Sequence, residues 1–329
     1  MPDSGEWMLR LRAAVGRRIG VLERNETEVC RLVHGGADRL GGWFVDRYGP
    51  GLALVRHQGR MEFNAEPRAV AEELLRLLER FGVTSVYDKP FVRDRSRLGG
   101  EHDAALKSPT PIAGAPLPEA IEVREHGRTF EVRLYDGFST GLFLDQRLNR
   151  SFLAEGAAGR RVLNTFCYTG GFSVACAIGG ATTTSVDVSA RYMEWAQRNF
   201  LLNSLDPGAH HFARMDTFDF LSMARRKGMQ FDLVILDPPT FSAGDRKRGI
   251  KPWSAARDYG RLVAEASHVM APAARLFAST NASELCEGDR LRRVIASAVP
   301  GVRWLATPGT PEDFPTGNEC ARWEMFSIS

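Results

Sequence analysis

Residues 161–173, "RVLNTFCYTGGFS", join a short apolar run to a turn with two adjacent glycines and the start of a small-residue segment. The run reads as a buried strand and the segment from about Ser173 as a helix, with Gly170 and Gly171 at the junction. Glycine there lets backbone approach a ligand closely, and the first turn of a helix offers amide donors that its own backbone leaves unpaired. The same alternation continues downstream. Strand "TTTSVDV" (182–188) precedes helix "ARYMEWAQRNFLLN" (190–203), strand "HHFARM" (210–215) precedes helix "TFDFLSMARRK" (217–227), and "FDLVILD" (231–237) reads as a fourth strand. Strands alternating with helices imply parallel pairing with helices on the sheet faces, the doubly wound α/β class. Ligands in such sheets lie beyond the carboxyl ends of the strands.

Those ends carry a set of polar residues: Asn164 to Gly171 after the first strand, then Asp187, Asp216 and Asp237. Asp187 suits two ribose hydroxyls, a feature of nucleotide cofactors generally, or caps the helix that follows. Asp216 accepts from an adenine amino group or caps "TFDFL". The glycine loop is not GxGxxG, which counts against a dinucleotide.

Upstream, Trp7, Leu11, Val15, Ile19 and Leu22 form one apolar stripe among arginines, so residues 5–23 read as an amphipathic helix. "EVCRLVHGGADRLGGWFVDRYGPGLALVRHQ" (28–58) reads as a small antiparallel sheet, "AVAEELLRLLERFGV" (69–83) as a helix and "TSVYDKP" (84–90) as a strand. Glycines and prolines between Arg93 and Pro118 suggest a linker, and "IEVREHGRTFEVRLYDG" (121–137) reads as a hairpin turned at His126-Gly127. The division expected is an N-terminal helix (1–25), a small α+β domain (26–118), a hairpin and connecting segment (119–150) and an α/β domain (151–329).

The chain has 329 residues, 43% hydrophobic and 25% charged, enough for two globular domains. No apolar stretch approaches the roughly 20 residues of a membrane-spanning helix and no secretory signal is visible, so a cytoplasmic protein without a membrane partner is expected. Its five cysteines, Cys30, Cys167, Cys176, Cys286 and Cys320, form no CxxC pair and are expected to be reduced. The histidines show no metal-ligand spacing, and no metal is expected. A net charge of +3 makes the placement of charge more informative than its total.

"VLNTFCYTGGFSVACAIGGA", "TTTSVDVSARYMEWAQRNFLLN" and "FDLVILDPPTFS" resemble the motifs of class I S-adenosylmethionine-dependent methyltransferases, and more narrowly those of the large-subunit (23S) ribosomal RNA methyltransferases. "GLFLDQRLNR" is similar to the FxDQR segment that precedes their core domain, and "RLVHGGADRLGGWFVDRYG" to their small middle domain. "DPPTFS" followed by "RKRG" looks closest to the guanine N-7 member of this group. The resemblance implies a Rossmann-like methyltransferase domain with S-adenosyl-L-methionine as cofactor and ribosomal RNA as partner. A second copy of the chain is a further candidate partner.

It also implies a distribution of roles. Asn164, Phe166, Tyr168, Thr169, Gly170 and Gly171 would surround the methionine part of the cofactor. Asp187 with Val188 would take the ribose, Asp216 with Thr217 the adenine, and Asp237 would stand near the sulfonium. Phe143, Asp145, Gln146 and Arg147 would close the pocket, or else form a turn that anchors the linker. No N-terminal segment long enough for the RNA-binding PUA domain of many relatives is visible, so RNA capture is expected of the middle domain and the rim.

Asp237, Pro238, Pro239 and Thr240 form the expected substrate platform. A planar base nitrogen needs orientation more than activation, and carbonyls of a rigid Pro-Pro turn can hold a base edge. Phe241 stacks on a flipped base or belongs to the core. Arg246, Lys247, Arg248 and Lys251, with Arg93, Arg95 and Arg97, are candidate phosphate contacts or simply solvated charge. Carbon 5 of cytosine would instead need a cysteine thiolate. Neither "DPPTFS" nor "FASTNAS" (277–283) contains one, which leaves Cys286 or Cys167 for that alternative. A non-catalytic RNA-binding assembly factor is the third reading.

Overall fold

The computed structural model describes residues 5–57, 65–91, 104, 106–245, 250–315 and 321–328. The chain divides into two compact units, Met1–Arg147 with Thr310–Asn318, and Leu148–Gly309 with Glu319–Ser329.

The first unit contains helices Glu6–Arg17 and Ile19–Arg24, then strands β1 (Val29–His34), β2 (Trp43–Tyr48) and β3 (Gly51–His57). Helix Pro67–Leu78 leads to β4 (Ser85–Phe91) and β5 (Ala113–Gly114), and β6 (Ile121–Glu125) and β7 (Arg128–Val132) form a hairpin. The five-stranded sheet runs β1-β2-β3-β4-β5. The first three strands are antiparallel as their alternation predicts, whereas β3 and β4 are parallel. Helix Pro67–Leu78 supplies the crossover that a parallel pair requires. It buries Val70, Ala71, Leu74 and Leu78 in one cluster with Leu11 and Val15 of the first helix and Leu52 and Leu54 of β3. Each of these valine and leucine side chains contributes about 1.5–3 kcal/mol by leaving water. The apolar stripe read from residues 5–23 is thus a core stripe, carried by two helices that break at Arg18. The hairpin turns where expected, with His126 and Gly127 both at positive φ (47° and 77°), the pair a type I′ turn demands.

Thr310–Asn318 belongs to this first unit, which departs from a continuous C-terminal domain over 151–329. Local pattern cannot show why. The Asp313 carboxylate, fully buried, accepts from both terminal nitrogens of Arg147 (2.6 and 3.2 Å) and from the Arg31 amide (2.8 Å). A buried charge needs such a partner, and this pair is 166 residues apart in sequence.

The second unit contains β8 (Arg161–Thr165), β9 (Thr182–Asp187), β10 (His211–Arg214), β11 (Phe231–Leu236), the short pair β12 (Phe241–Ser242) and β13 (Trp253–Ser254), β14 (Met270–Thr280), β15 (Val302–Leu305) and β16 (Arg322–Ile328). Its seven-stranded sheet runs β10-β9-β8-β11-β14-β16-β15. The pairs from β10 to β14 are parallel, and β16 is antiparallel to both neighbours. Both faces are covered and the central strand β11 is almost wholly buried, whereas β9 (TTTSVD) is buried but mostly hydroxyl-bearing and the edge strand β10 is partly exposed. Val234 and Leu236 of β11 pack with helices Thr217–Arg226, Ala255–Ser267 and Arg290–Ala298, while Leu233 and Ile235 pack on the other face with Leu153, Phe172 and Cys176. This is the doubly wound, mostly parallel sheet implied by the alternation. Among the described residues, no helix is long and apolar enough to cross a membrane.

Candidate active site

Strand order reverses at β8: the next strands, β9 and β10, lie to one side, and β11 and β14 to the other. The crevice beside such a reversal is where doubly wound sheets bind ligands. Register brings the strand ends level. Thr165 of β8 pairs with Val186 of β9 and with Leu236 of β11, and Leu236 pairs with Ala278 of β14. Phe166 and Asp237, the first residues past β8 and β11, therefore lie level with Asp187, the last residue of β9, and with Ser279 near the end of β14, along one edge of the sheet.

The first of these segments is conformationally costly. Phe166, Tyr168 and Gly170 have φ of 54°, 52° and 79°, and the left-handed region costs a side-chain-bearing residue roughly 1–2 kcal/mol. Such conformations persist only where the surroundings enforce them, and they concentrate at functional sites. Here the Cys167 amide donates to Val186 O (3.0 Å), the Gly170 amide to Cys167 O (2.8 Å), and Asn199 Nδ2 to Thr169 O (2.8 Å). The Tyr168 ring meets Tyr192 edge-on at 4.5 Å. Gly170 is required twice over, by its φ and because a Cβ would lie 2.9 Å from that of Ala196. Beneath the loop, buried Asn164 donates from Nδ2 to Ser173 Oγ (2.9 Å), which is 2.7 Å from Ser185 Oγ. Asn164 ties the strand end to the following helix, whose first residue is Gly171.

Asp187 ends β9. Its two carboxylate oxygens accept separately, Oδ2 from the Tyr168 amide (3.0 Å) and Oδ1 from the Ser189 amide (2.9 Å). It does not cap the next helix; Ser189 does, accepting from the Tyr192 amide. Burial pushes the Asp187 carboxyl above its ordinary value, against the opposing pull of the Ser189, Tyr168 and Val188 amides. A carboxylate kept at a sheet edge at this cost is suited to hydroxyl donors from a ligand. Asp216 takes the other of its two readings: it is the N-cap of helix Thr217–Arg226, accepting from the Phe218 and Asp219 amides (2.8 and 3.4 Å). Such a cap is worth about 1 kcal/mol. Thr217 is buried and Val188 partly so.

The DPPT turn is held from several directions. Trp253 Nε1 donates to Pro239 O (2.7 Å) and the Ala255 amide to Thr240 O (2.9 Å). The Pro239 carbonyl is thus already engaged within the protein, which narrows the carbonyl platform inferred from the Pro-Pro pair. Thr240 Oγ1 donates to Asn281 Oδ1 (2.5 Å), and the buried Tyr259 hydroxyl bonds to Ser279 O (2.7 Å) and Leu236 O (3.4 Å), joining the ends of β11 and β14. Burial, reinforced by the Asp237 charge, raises the Tyr259 phenol well above its ordinary value. Phe241 is not a core residue: it is 66% exposed, on the two-stranded ribbon β12-β13 just past the turn. Lys251 is exposed, while Arg246, Lys247 and Arg248, like Arg93, Arg95 and Arg97, lie outside the described residues.

Phe143, Asp145, Gln146 and Arg147 belong to the first unit. Phe143 is 51% exposed at the start of a single 3₁₀ turn, Leu144–Gln146, whereas Gln146 is buried. Arg147, also buried, directs its guanidinium to Asp313 and to Val29 O (3.1 Å), the arrangement of an anchoring turn.

Cys167 is buried, its thiol pushed well up by burial and then by the Asp187 charge, conditions that disfavour a thiolate. Cys286 ends the short helix Ser283–Cys286 and is disulfide-bonded, contrary to the reduced state expected, whereas Cys30, Cys167 and Cys176 are free thiols. Sequence reasoning missed Trp253, Tyr259 and Asn281. Trp253, alone beside a basic run at a helix start, was the visible signal; the other two act through partners distant in sequence.

A glycine-ended turn with left-handed residues at a strand reversal, a carboxylate with both oxygens engaged by backbone amides, and an adjoining acid suit a nucleoside-bearing cofactor. Comparison with known proteins agrees. A Neisseria meningitidis protein named ribosomal RNA large subunit methyltransferase K is 37% identical over 204 residues, covering 62% of this chain and 56% of its own. Erwinia tasmaniensis ribosomal RNA large subunit methyltransferase I is 33% identical over 298 residues, covering 90% and 71%. The crystal structure of SMU.776 complexed with SAH (S-adenosylhomocysteine) superposes with a TM-score of 0.82 at 27% identity, covering 99% of this chain and 81% of that one. The S-adenosylmethionine-dependent methyltransferase pattern matches residues 97–326, and the chain belongs to that family.

Proposed function

We propose that this methyltransferase acts on large-subunit ribosomal RNA and transfers the methyl group directly to a guanine ring nitrogen, N-7. The ribosomal RNA substrate rests on the relatives, whose names carry it, and on the exposed Phe241 and Lys251 beside the strand-end edge. S-adenosylmethionine, when bound, would supply an electrophilic methyl group. On this chain, Asn164, Phe166, Tyr168, Thr169, Gly170 and Gly171 would surround its methionine portion, and Asp187 would take its ribose hydroxyls. The adenine falls to Val188 and Thr217 with what remains of Asp216's hydrogen-bonding capacity, since that side chain also caps a helix.

The choice of nitrogen over carbon rests on one observation: neither cysteine near the site is a competent nucleophile. Cys167 is buried with its thiol raised, and Cys286 is disulfide-bonded. Carbon 5 of a pyrimidine needs a thiolate to add to the ring before it can attack, whereas the lone pair of guanine N-7 needs only alignment. The DPPT turn, held by Trp253, Ala255 and Asn281, supplies a rigid shelf for that alignment. Phe241 stacks on the extruded base and Lys251 meets backbone phosphate. Cys167→Ala and Cys286→Ala are each expected to keep kcat/KM on unmodified large-subunit ribosomal RNA within about threefold, since neither change removes more than a small buried or bridged group. Loss of all turnover in either variant, with the protein still folded, would transfer the reaction to carbon 5.

A further inference from the structure

Asn281 is the first residue past β14, two residues beyond Ser279, the position that register sets level with Asp237, and no motif singles it out. Its neighbours are locked: Thr280 and Ala282 are buried, and Thr280 Oγ1 accepts from the Ala282 amide (3.1 Å). Asn281 itself is exposed, and its side-chain oxygen accepts from Thr240 Oγ1. Thr240 in turn is fixed by the bond from the Ala255 amide to its carbonyl. The segments that follow β11 and β14 are thus joined through this carboxamide. The bond from Thr240 takes one of the two lone pairs of Oδ1, and among the described residues the two N–H donors of Nδ2 have no partner.

We propose that Asn281 is a specificity-determining residue that reads the target base through a carbonyl acceptor, which on guanine is O6, next to N-7. The inference rests on the guanine reading above. Thr240, on this account, positions the amide and does not touch the base. The arrangement has a clear chemical logic. Asp237 lies on the neighbouring strand end and presents acceptors only, so a donor from β14 completes the recognition of an acceptor-rich edge. Adenine carries an amino group where guanine carries O6, and it would set donor against donor at this point.

The test uses the full chain, SAH and an unmodified large-subunit ribosomal RNA transcript. Asn281→Asp keeps an oxygen to accept from Thr240 but removes both donors, while Asn281→Ala removes both functions. A donor role predicts that each variant loses about 10–100-fold in kcat/KM, the aspartate variant at least as much as the alanine one, with SAH affinity and melting temperature close to wild type. Replacing the mapped target guanosine by 2-aminopurine riboside, which lacks O6, is expected to slow the wild type by a similar factor and the alanine variant hardly at all. Wild-type activity in the aspartate variant, or an undiminished preference for guanosine in the alanine variant, overturns the proposal. Methyl on a base other than guanine in the wild-type product overturns the guanine reading as well, and that product tells the two failures apart.

Discussion

Asp237→Asn is expected to leave the protein folded and to lower kcat by about 10²–10³-fold, the range seen when a preorganised electrostatic group is removed from an active site. Asp237 follows β11 directly, partly buried, at the strand reversal. On the proposed N-7 reading, the positive charge passes from the sulfonium to the guanine ring as the S–CH3 bond breaks and the N–CH3 bond forms, and a carboxylate on the ring side of that transfer would stabilise the charge as it arrives. Its charge adds to the burial that raises the phenol of the fully buried Tyr259. The asparagine variant keeps the shape and loses the charge. Single-turnover rates on unmodified large-subunit ribosomal RNA provide the measurement, with RNA affinity determined in parallel. A wild-type rate would remove Asp237 from the chemistry and leave the turn with a purely positioning role.

Asp187→Asn is expected to weaken SAH binding by about 10²-fold, for a loss of roughly 3 kcal/mol when charge-assisted bonds to two hydroxyls are given up. Stability should change little. Burial raises this carboxyl, so its ionised form is disfavoured in the folded protein, and the stability this group contributes is greatest below its unfolded value and is lost as pH rises through the folded one. Removing the charge therefore returns free energy at neutral pH. Against that, the variant has one oxygen for the two amides, of Tyr168 and Ser189, that the carboxylate now satisfies, which costs about 1 kcal/mol. The same shift predicts a pH dependence: SAH affinity of the wild type falls as pH drops through the raised carboxyl value, and the asparagine variant loses that dependence. Calorimetric titration at several pH values measures both. Unchanged affinity in the variant would remove Asp187 from the cofactor site.

The second unit was legible because its central strands are buried on both faces. The apolar run "LVIL" (233–236) ends at Asp237 where the sheet meets solvent, so the end of this strand announces itself within a residue. The glycine turn was equally plain, since Gly170 has no room for a side chain. Asp216 was legible only as a pair of alternatives: capping and ligand binding both call for an acid before a helix, and its contacts with Phe218 and Asp219 supply the cap. What escaped the sequence depends on contacts between distant residues. Asp313 joins the first unit through Arg147, and Asn281 is joined to Thr240, 41 residues earlier. The parallel pairing of β3 and β4 was hidden because a short mixed sheet alternates much as an antiparallel one does.

Nucleoside mass spectrometry tests the central claim most directly. Unmodified large-subunit ribosomal RNA is incubated with the purified protein and methyl-labelled S-adenosylmethionine, then digested completely. The account predicts label on 7-methylguanosine. Label on 5-methylcytidine would contradict it and return Cys167 and Cys286 to consideration as nucleophiles.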